Sequence, residues 1–581
     1  MDAAKSSHSP LLSKLPPKAL PPSTKESIHG SLTTLRTSFR QGKLRPLENR
    51  KRVLKQIQTL LTEGQAQLEE AFLEDLHKHP LELYSGEIAL VLAEIQEHLD
   101  YLDDWAAPQK VSTNVVNLPG SSAIVSDPLG VCCIIDTWNY PVQLLFVPLV
   151  GCIGAGNCAL LRLPPEGTCD NIAAVMASLI DQYLDSDVVQ YVVGGIDANI
   201  AMLEEKFDLI FVTGGTTIGK IVTRAAAETL TPVVLELGGK SPCIVDSNVD
   251  LQVAASRVAW GAVYNSGQVC LRPDYLFVHS KVATEFVGLL IERIKSFFGP
   301  NPQSSDSYGR IVNATQVARL AAIIDADRPY VVHGGDVDAS SRYIAPTLLN
   351  FKSDMRAFEA SAAMQGELFG PILPIVYYDN VQDAIDFVNA RPKPLALYVF
   401  SNNQKDVVQP LLNQTSSGGV CVNDVTVQMT NSDLPFGGVG NSGMGAYHGH
   451  HSFRTFSHQK AVMYKSTMGD IPFRYMPYTP TSAKVLKLAM APISRVQKRM
   501  AYVAAFVAFA AIVAGVVYAA LNFPMCLVLP KTLGKCHYLA AVCATVNDGI
   551  IAVLEKHVHT NHTSLRGRLY SISVVCSSAN E

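Results

Sequence analysis

The chain has 581 residues, which is too many for one compact hydrophobic core, so two or more domains are expected. Hydrophobic residues make up 48% of it and charged residues 17%, a balance that excludes a mainly disordered protein. The formal net charge of -4 gives no reason to expect nucleic acid as a partner. The cysteines are dispersed without C-x-x-C spacing, which is typical of a reducing compartment and predicts no metal site.

The first 105 residues show little beyond helical periodicity. Residues 1–24 are rich in Pro, Ser and Lys and contain no long apolar run, which predicts a disordered lead without a secretory signal. Apolar residues recur at roughly helical spacing through 25–105, for example Leu54, Ile57 and Leu61, and they predict helices.

Short apolar runs alternate with helical patterns from about 125 to 240, and the same style continues through 240–435. Such alternation predicts parallel strands joined by crossover helices, which is an α/β fold. In the first part, the predicted strands are 130–137, 158–163, 188–194 and 209–213, and the predicted helices are 172–183 and 219–228. In the second part, helices are predicted near 248–264 and 281–297, and strands near 274–278 and 372–377.

Residues 501–521 form an uncharged apolar segment of 21 residues. At about 1.5 Å per residue, a helix of this length covers the roughly 30 Å hydrocarbon core of a bilayer. The segment is apolar on every face, which favours a transmembrane helix over a buried core helix. A basic linker, 466–500, precedes it and indicates that the N-terminal part faces the cytosol. The tail, 522–581, has no assigned fold.

Three segments contain candidate catalytic residues. Cys270 follows Gly and Gln in an expected loop and is a candidate thiolate, although a lone cysteine is more often structural. Glu236 ends an apolar run before two glycines and could activate water if burial raises its pKa; an ion-paired surface Glu is the alternative. Asn139 follows a strand-like run, and its amide could donate to an oxyanion or merely form a turn before Pro141.

Two further segments suggest a nucleotide site. The segment 211–220 reads as a strand, a Gly-rich turn and a helix, and backbone N–H groups at a helix start can hold a pyrophosphate. A plain connection between strand and helix is an equal alternative there. Glu367 and Phe369 are two residues apart, which in a strand directs them to one face, where they could hold a ribose and a flat ring. A surface Glu beside a core Phe is the alternative.

Taken in order, these segments resemble the class 3 aldehyde dehydrogenases, the group that includes the fatty aldehyde dehydrogenases. With its apolar segment, the chain resembles the fungal membrane-anchored members, whose relatives include apocarotenal dehydrogenases. The resemblance runs from Thr33 to about Lys460. Segments that show it include PLGVCCIIDTWNYPVQL at 128–144, LTPVVLELGGKSPC at 230–243, AWGAVYNSGQVCLRPDY at 259–275, GELFGPILPIV at 366–376 and LPFGGVGNSGMGAYHGHHSFRTFSH at 434–458.

The resemblance implies a role for each candidate. Cys270 attacks the aldehyde to form a thiohemiacetal, Asn139 and the Cys270 backbone N–H stabilise the oxyanion, and Glu236 activates water to hydrolyse the thioester. The implied cofactor is NAD or NADP. The residues implied to bind it are Gly214, Thr216 and Gly219 near the pyrophosphate, Glu367 at a ribose, Phe369 at the nicotinamide, and also Trp138 and Arg162.

The chain departs from the family pattern in three places. Arg162 stands where the family has a Lys that binds the adenosine ribose, and an Arg there could favour a 2′-phosphate, which leaves NAD versus NADP open. Arg272 replaces a small residue and is expected to narrow a tunnel mouth or to steer a polar aldehyde end. The connection at 353–363 looks longer than in the family.

The resemblance also implies the domain organisation. We expect two Rossmann-type lobes, a dinucleotide-binding domain at 25–237 and a catalytic domain at 238–440, followed by an oligomerisation segment at 441–465. A strand extension from about 112–126 and 440–460 is expected to exchange between protomers of a homodimer.

The predicted function is NAD(P)-dependent oxidation of long-chain aliphatic aldehydes to carboxylic acids. The expected enzyme is a single-pass protein that meets membrane lipid through 501–521 and faces the cytosol, on the endoplasmic reticulum, the mitochondrial outer membrane or a lipid droplet. Two alternatives stay open: an apocarotenoid aldehyde as substrate, and a non-catalytic membrane scaffold that retains the fold.

Overall fold

The computed structural model describes residues 20–117, 120–468, 470, 472–492, 494, 496–497, 500, 507 and 509–515. The described residues fall into two units that divide after Asp470, and each unit is treated by itself. The predicted lead is therefore described only from Leu20 onwards. Most of the predicted span 501–521 and the whole tail 522–581 lie outside the described residues.

The first unit begins with helices, as the periodicity predicted. They are α1 (Lys25–Arg40), α2 (Leu47–Glu63), α3 (Gln65–Leu76), α4 (Pro80–Leu83) and α5 (Ala89–Ala106). Thr24 starts α1 in a capping box with Ser27, which satisfies two backbone groups at the helix end. A single π-helical turn, Tyr84–Ile88, joins α4 to α5. Such turns often occur at functional sites because they redirect side chains within a helix.

A six-stranded sheet with flanking helices follows. Its segment of the chain contains β1 (Gln109–Val111), β2 (Ser121–Pro128), β3 (Val131–Ile135), α6 (Pro141–Ala155), β4 (Cys158–Arg162), α7 (Asp170–Tyr183), β5 (Val189–Val192), α8 (Ile196–Leu203), β6 (Leu209–Gly214), α9 (Thr216–Ala227) and β7 (Val233–Leu237). Strands β3 to β7 are parallel. The pattern of alternating strands and helices is therefore confirmed, but α6 and α8 are not among the predicted helices. Every residue of α6 is buried, so it shows no amphipathic period.

The second half builds a seven-stranded sheet. Its elements are β8 (Pro242–Val245), α10 (Leu251–Val263), β9 (Tyr275–His279), α11 (Ser280–Phe298), α12 (Ala314–Ala326), β10 (Val331–His333), β11 (Val337–Asp338), β12 (Tyr343–Ile344), β13 (Thr347–Asn350), α13 (Met355–Ala360), β14 (Ile372–Tyr378), α14 (Val381–Asn389), β15 (Ala396–Phe400), α15 (Gln409–Gln414) and β16 (Gly419–Val422). The strand order is β10-β13-β14-β9-β8-β15-β16, and only the β10 pairing is antiparallel.

The last strands of the first unit pair with strands from the first half of the chain. It contains β17 (Gly443–Met444), α16 (Gly449–Thr455) and β18 (Ser457–Tyr464). Strand β17 completes the first sheet, in the order β17-β7-β6-β3-β4-β5. Strands β1, β2 and β18 form a separate antiparallel sheet, in which Ser121 pairs with Tyr464 and Pro128 with Ser457. The predicted extension thus exists, with β18 extending to Tyr464, and its exchange between protomers stays a prediction.

The second unit contributes α17 (Pro480–Ala489), whose first turn is capped by Thr479. Of the predicted span, the structure describes Val507 and 509–515, which are helical. Within the described part of the chain, no helix combines the length and the apolar character needed to cross a bilayer.

Candidate active site

The candidate residues come together where the two halves of the first unit meet. Asn139 lies between β3 and α6, and Glu236 lies on β7, two strands away in the same sheet. Cys270 comes from the other half, after the 3-10 turn that follows α10. Ligands bind at the carboxyl ends of strands in open α/β sheets, and Asn139 and Glu236 lie at that edge.

One cavity of about 170 Å³ collects most of the predicted site and is here named the carboxylate cavity. It is lined by Thr137, Trp138, Asn139, Thr213, Gly214, Gly215, Glu236, Leu237, Gly238, Cys270, Glu367 and Phe369. Seven of the ten predicted site residues therefore lie together. Thr216, Gly219 and Arg162 are not among the lining residues.

The backbone before Cys270 is strained and firmly held. Asn265, Ser266 and Gly267 all have a positive φ, of 51°, 52° and 75°. A Cβ at Gly267 would lie 2.3 Å from the carbonyl oxygen of Gly370, so only glycine fits. Three consecutive left-handed residues persist only where the surroundings fix them, and such strain is typical of active sites.

Gln268 supplies much of that fixation, a role the sequence interpretation missed. Its amide nitrogen donates to the carbonyl oxygens of Asn265 and Arg310, both at 3.0 Å. Its amide oxygen accepts from the backbone N–H of Val312 at 2.9 Å. Gln268 is buried, so these bonds are shielded from water and position the residue that follows the loop, Cys270.

Asn139 is held by the same loop. Its side-chain nitrogen donates to the carbonyl oxygen of Gln268 at 3.1 Å. A primary amide carries two hydrogens, so one remains for an acceptor in the cavity that Asn139 lines. The backbone carbonyl oxygen of Asn139 accepts from Asn265 Nδ2 at 3.0 Å and from Lys78 Nζ at 3.1 Å. The amide is thereby oriented before any substrate arrives, as an oxyanion donor must be.

Lys78 belongs to a buried ion pair that no sequence signal had indicated. Its Nζ lies 2.7 Å from Glu87 Oε1 and 4.2 Å from the centroid of the Tyr140 ring. Glu87 sits on the π-helical turn, and its other oxygen accepts from the backbone N–H of Val142 at 2.8 Å. The pair therefore holds the turn at two points, because Lys78 bonds to Asn139 and Glu87 bonds to Val142.

Glu236 and Cys270 are electrostatically coupled. Glu236 Oε1 is buried without a hydrogen-bond partner among the described residues, and burial raises the pKa of this carboxyl well above its usual value. The pKa of the Cys270 thiol is also raised well above its usual value, first by burial and then by the Glu236 and Glu367 carboxylates. The backbone N–H groups of Cys270 and Leu271 act in the opposite direction and favour the thiolate.

The loop that carries Glu367 and Phe369 is fixed by a buried cluster of charges. Lys240 Nζ donates to Asp274 and to the carbonyl oxygens of Ala363 and Gly366, the latter two at 2.8 and 3.0 Å. Asp274 also accepts from the backbone N–H of Leu368 at 3.0 Å. These bonds fix the loop whose residues Glu367 and Phe369 line the carboxylate cavity.

The carboxylate cavity and the start of α9 offer contacts suited to parts of a dinucleotide. Glu367 Oε1 is buried without a partner among the described residues, and burial raises the pKa of this carboxyl to about 8. An unsatisfied acceptor of this kind matches a ribose hydroxyl. Phe369 meets the Trp138 ring edge-on at 5.2 Å and offers a flat face. Gly215 and Thr216 begin α9, where free backbone N–H groups favour a pyrophosphate.

Two of the residues predicted to bind the cofactor, Gly219 and Arg162, do not line the carboxylate cavity. A Cβ at Gly219 would lie 2.9 Å from Leu237, so this glycine permits close packing of α9 on β7. Arg162 is buried, and its guanidinium donates to Asn199 and to the carbonyl oxygens of Leu163 and Gly194. The N–H groups of the guanidinium that are named here thus already donate to protein acceptors near the ends of β4 and β5. This geometry gives no support to a 2′-phosphate contact, which stays a prediction.

The expectation for Arg272 is wrong. Its side chain is only 1% exposed and pairs with Asp274 at 3.0 Å, while Nη2 donates to the carbonyl oxygen of Ile372 at 2.7 Å. A buried guanidinium in this position cannot narrow a tunnel mouth or meet a substrate. It helps to hold the cluster beneath Glu367. The connection at 353–363 forms α13 and the start of a 3-10 turn.

A second cavity of about 170 Å³, here named the apolar cavity, also reaches Cys270. It is lined by Ser85, Gly86, Leu90, Tyr140, Gln143, Leu144, Trp260, Tyr264, Val269, Cys270, Leu271, Thr426, Val427, Met429, Thr430 and Phe436. No charged side chain is among these described residues. The sequence interpretation missed Trp260, near the end of α10, and Tyr264, which directly follows this helix.

The arrangement supports one kind of chemistry. A sulfur nucleophile lies between two cavities, an oriented amide lies beside it, and a buried carboxyl of raised pKa lines the same space. Such a set can add to a carbonyl, stabilise the resulting oxyanion and activate water for hydrolysis.

Comparison with known proteins points the same way. The model of the family described as "Aldehyde dehydrogenase family" matches residues 10–462. The dimeric NADP-preferring aldehyde dehydrogenase of Rattus norvegicus is 43% identical over 459 residues, which cover 79% of this chain and 99% of that protein. Aldehyde dehydrogenase family 3 member B1 of the same species is 43% identical over 469 residues, covering 80% and 98%.

A solved structure has a similar fold. The substrate-bound state of Staphylococcus aureus AldH matches with a TM-score of 0.76 at 38% identity, covering 79% of this chain and 99% of that chain.

The coupling of Cys270 to Glu236 predicts a pH effect. Replacing Glu236 with Gln removes a carboxyl group that opposes thiolate formation when it is ionised, so the pKa of Cys270 should fall. Alkylation of the Cys270 peptide by iodoacetamide, followed by mass spectrometry from neutral to alkaline pH, should then proceed at lower pH than in the wild type. Glu204→Gln, at an exposed glutamate paired with Lys25, is the matched control. An unmoved alkylation curve, or one moved to higher pH, would contradict the coupling.

The Lys78–Glu87 pair predicts a selective loss of turnover. Glu87→Gln should lower kcat by about tenfold and leave KM within about twofold, because the loss falls on the oxyanion donor that the pair positions. Glu87→Asp should recover part of kcat. Glu63→Gln, an exposed carboxylate bonded to Tyr183, serves as control. A purely structural role would instead lower Tm while kcat of the folded enzyme stays unchanged.

Proposed function

This chain belongs to the aldehyde dehydrogenase family, in class 3, and from that premise we propose that it oxidises long-chain aliphatic aldehydes at a membrane surface. The reaction type is NAD(P)-dependent oxidation of an aldehyde. The observation that supports a long-chain substrate is the uncharged apolar cavity that ends at Cys270.

The reaction proceeds through Cys270. Its thiolate forms a C–S bond to the aldehyde carbon, and the carbonyl oxygen becomes an oxyanion that accepts from the Asn139 amide and the Cys270 backbone N–H. Bound NAD(P)+ supplies a hydride acceptor. The product on the enzyme is a thioester at Cys270. Glu236 takes a proton from water, which attacks the thioester, breaks the C–S bond and releases the carboxylic acid and the thiolate.

The apolar cavity suits a hydrocarbon chain. Tyr140, Trp260 and Tyr264 line it with aromatic surface, and Tyr140 and Tyr264 stack with centroids 6.4 Å apart. Each methylene group moved from water into such surroundings contributes about 0.8 kcal/mol, so affinity should rise with chain length. A charged or strongly polar aldehyde would find no ionic partner along these walls.

The apolar segment 501–521 supports the membrane proposal. A protein held at a bilayer meets long-chain aldehydes where they partition, and the basic linker 466–500 faces the cytosol in this arrangement. We extend the proposal to a homodimer. Its support is the rat relative, which is described as dimeric, and the largely exposed strand β18 at the edge of the three-stranded sheet.

An apocarotenoid aldehyde is the second candidate substrate. The same aromatic walls would pack against a flat conjugated chain, with rings offset or edge-on to it. A non-catalytic scaffold is disfavoured because a scaffold has no use for a strained nucleophile loop beside a cavity whose two lining carboxyl groups are buried and unsatisfied.

The proposal predicts both a substrate profile and a location. A fragment that ends at Asp470, where the first unit ends, should reduce NAD(P)+ with kcat/KM rising by at least tenfold from hexanal to hexadecanal. In cells, the full chain should sediment with membranes and the fragment should remain in the supernatant.

The two measurements test the substrate and the membrane anchor separately. A preference for short aldehydes would contradict the long-chain assignment, and a higher kcat/KM with an apocarotenal than with hexadecanal would favour the second candidate. A full chain that stays in the supernatant would contradict the anchor alone.

A further inference from the structure

A third cavity, of about 220 Å³, lies beside the apolar cavity and is here named the distal cavity. It is lined by Leu271, Leu395, Gly418, Gly419, Val420, Gln428, Leu434, Pro435, Phe436 and Gly437. Leu271 and Phe436 line both cavities, so these two side chains stand at the boundary between them. Cys270 lines the apolar cavity but not the distal one, which therefore lies farther from the reacting sulfur.

A single 3-10 turn, Val427–Thr430, forms the partition. Thr426, Val427, Met429 and Thr430 face the apolar cavity, whereas Gln428 faces the distal cavity. The turn begins after Thr426, whose φ of 61° is unusual for a branched residue. A short turn that begins after a strained residue therefore separates the two cavities.

The walls of the distal cavity offer no partner for a charge. Gln428 provides its one polar side chain among the described lining residues, and that amide donates weakly to the Tyr398 hydroxyl at 3.4 Å. The other lining side chains are aliphatic, aromatic or proline. The Gln428 side-chain oxygen is buried without a hydrogen-bond partner among the described residues, so the cavity has one unsatisfied acceptor beside its aliphatic and aromatic side chains.

The glycines of the distal cavity differ in the room around them. A Cβ at Gly418 would lie 2.4 Å from the carbonyl oxygen of Gly437, so that position is closed to larger residues. A Cβ at Gly419 would meet nothing within 4 Å. Gly419 starts β16, the last strand of its sheet, and a side chain there would occupy open space.

We propose that the distal cavity is a binding subsite for the far end of the aldehyde's hydrocarbon chain, which passes Leu271 and Phe436 from the apolar cavity. This inference rests on the proposed long-chain substrate. The carbonyl is held at Cys270, the first methylenes lie against Tyr140 and Trp260, and the remainder enters the distal cavity. The subsite thus selects chain length, because only a chain that outgrows the first space gains contacts in the second.

The test uses the full chain and fills the distal cavity from Gly419. In Gly419→Ile, the ratio of kcat/KM for hexadecanal to kcat/KM for hexanal should fall by at least tenfold, and in Gly419→Ala by much less. An isoleucine suits a strand position, so folding should be kept. Gly288→Ile, on α11 where a Cβ also meets nothing within 4 Å, is the matched control and should keep the wild-type ratio.

The outcomes distinguish a failure of the distal subsite from a failure of the proposed long-chain substrate. A long-chain preference in the wild type that Gly419→Ile retains would overturn the subsite alone. A wild-type profile that peaks at short chains would overturn the proposed function, and the subsite with it.

A second measurement does not depend on how the variant folds. A long-chain alcohol with a terminal diazirine, photolysed in the wild-type enzyme, should label peptides that contain 418–420 or 434–437. Labelling confined to 426–430 and 140–144 would overturn the subsite.

Discussion

The hydrogen bond from the Asn139 amide to the carbonyl oxygen of Gln268, at 3.1 Å, is the contact on which the site depends. It joins the edge of the first sheet to the nucleophile loop of the second half. The loop could not hold its left-handed residues without such anchors, and the amide could not point into the cavity without the loop. The oxyanion donor and the nucleophile are therefore positioned by each other.

Burial of charge defines the rest of the site. Lys78–Glu87 and Arg272–Asp274 are buried ion pairs that hold the turns on which Asn139 and Glu367 sit. Glu236 and Glu367, in contrast, each keep a buried oxygen without a partner among the described residues. Such groups destabilise the fold, and their raised pKa values suit them to a proton or a ribose hydroxyl. The two ion pairs supply rigidity around the reactive carboxyl groups of Glu236 and Glu367.

The sequence could predict what local pattern or family resemblance encodes. Strands β3, β4, β5 and β6 of the first sheet followed from alternation, and Cys270, Glu236 and Asn139 followed from resemblance. The helix α6 was missed because a helix buried on every side has no period. Arg272 was misjudged because its partners, Asp274 and the Ile372 carbonyl, meet it only in the folded chain. The Lys78–Glu87 pair was invisible because a π-helical turn gives no sequence signal that we can read.

The central claim is that an acyl group passes through Cys270, and trapping that intermediate tests it most directly. Glu236→Gln, mixed with hexadecanal and NAD(P)+ and quenched in acid, should gain the mass of one hexadecanoyl group. Peptide mapping should place that mass on Cys270. The same mass on another cysteine, or full turnover by Cys270→Ala, would contradict the account.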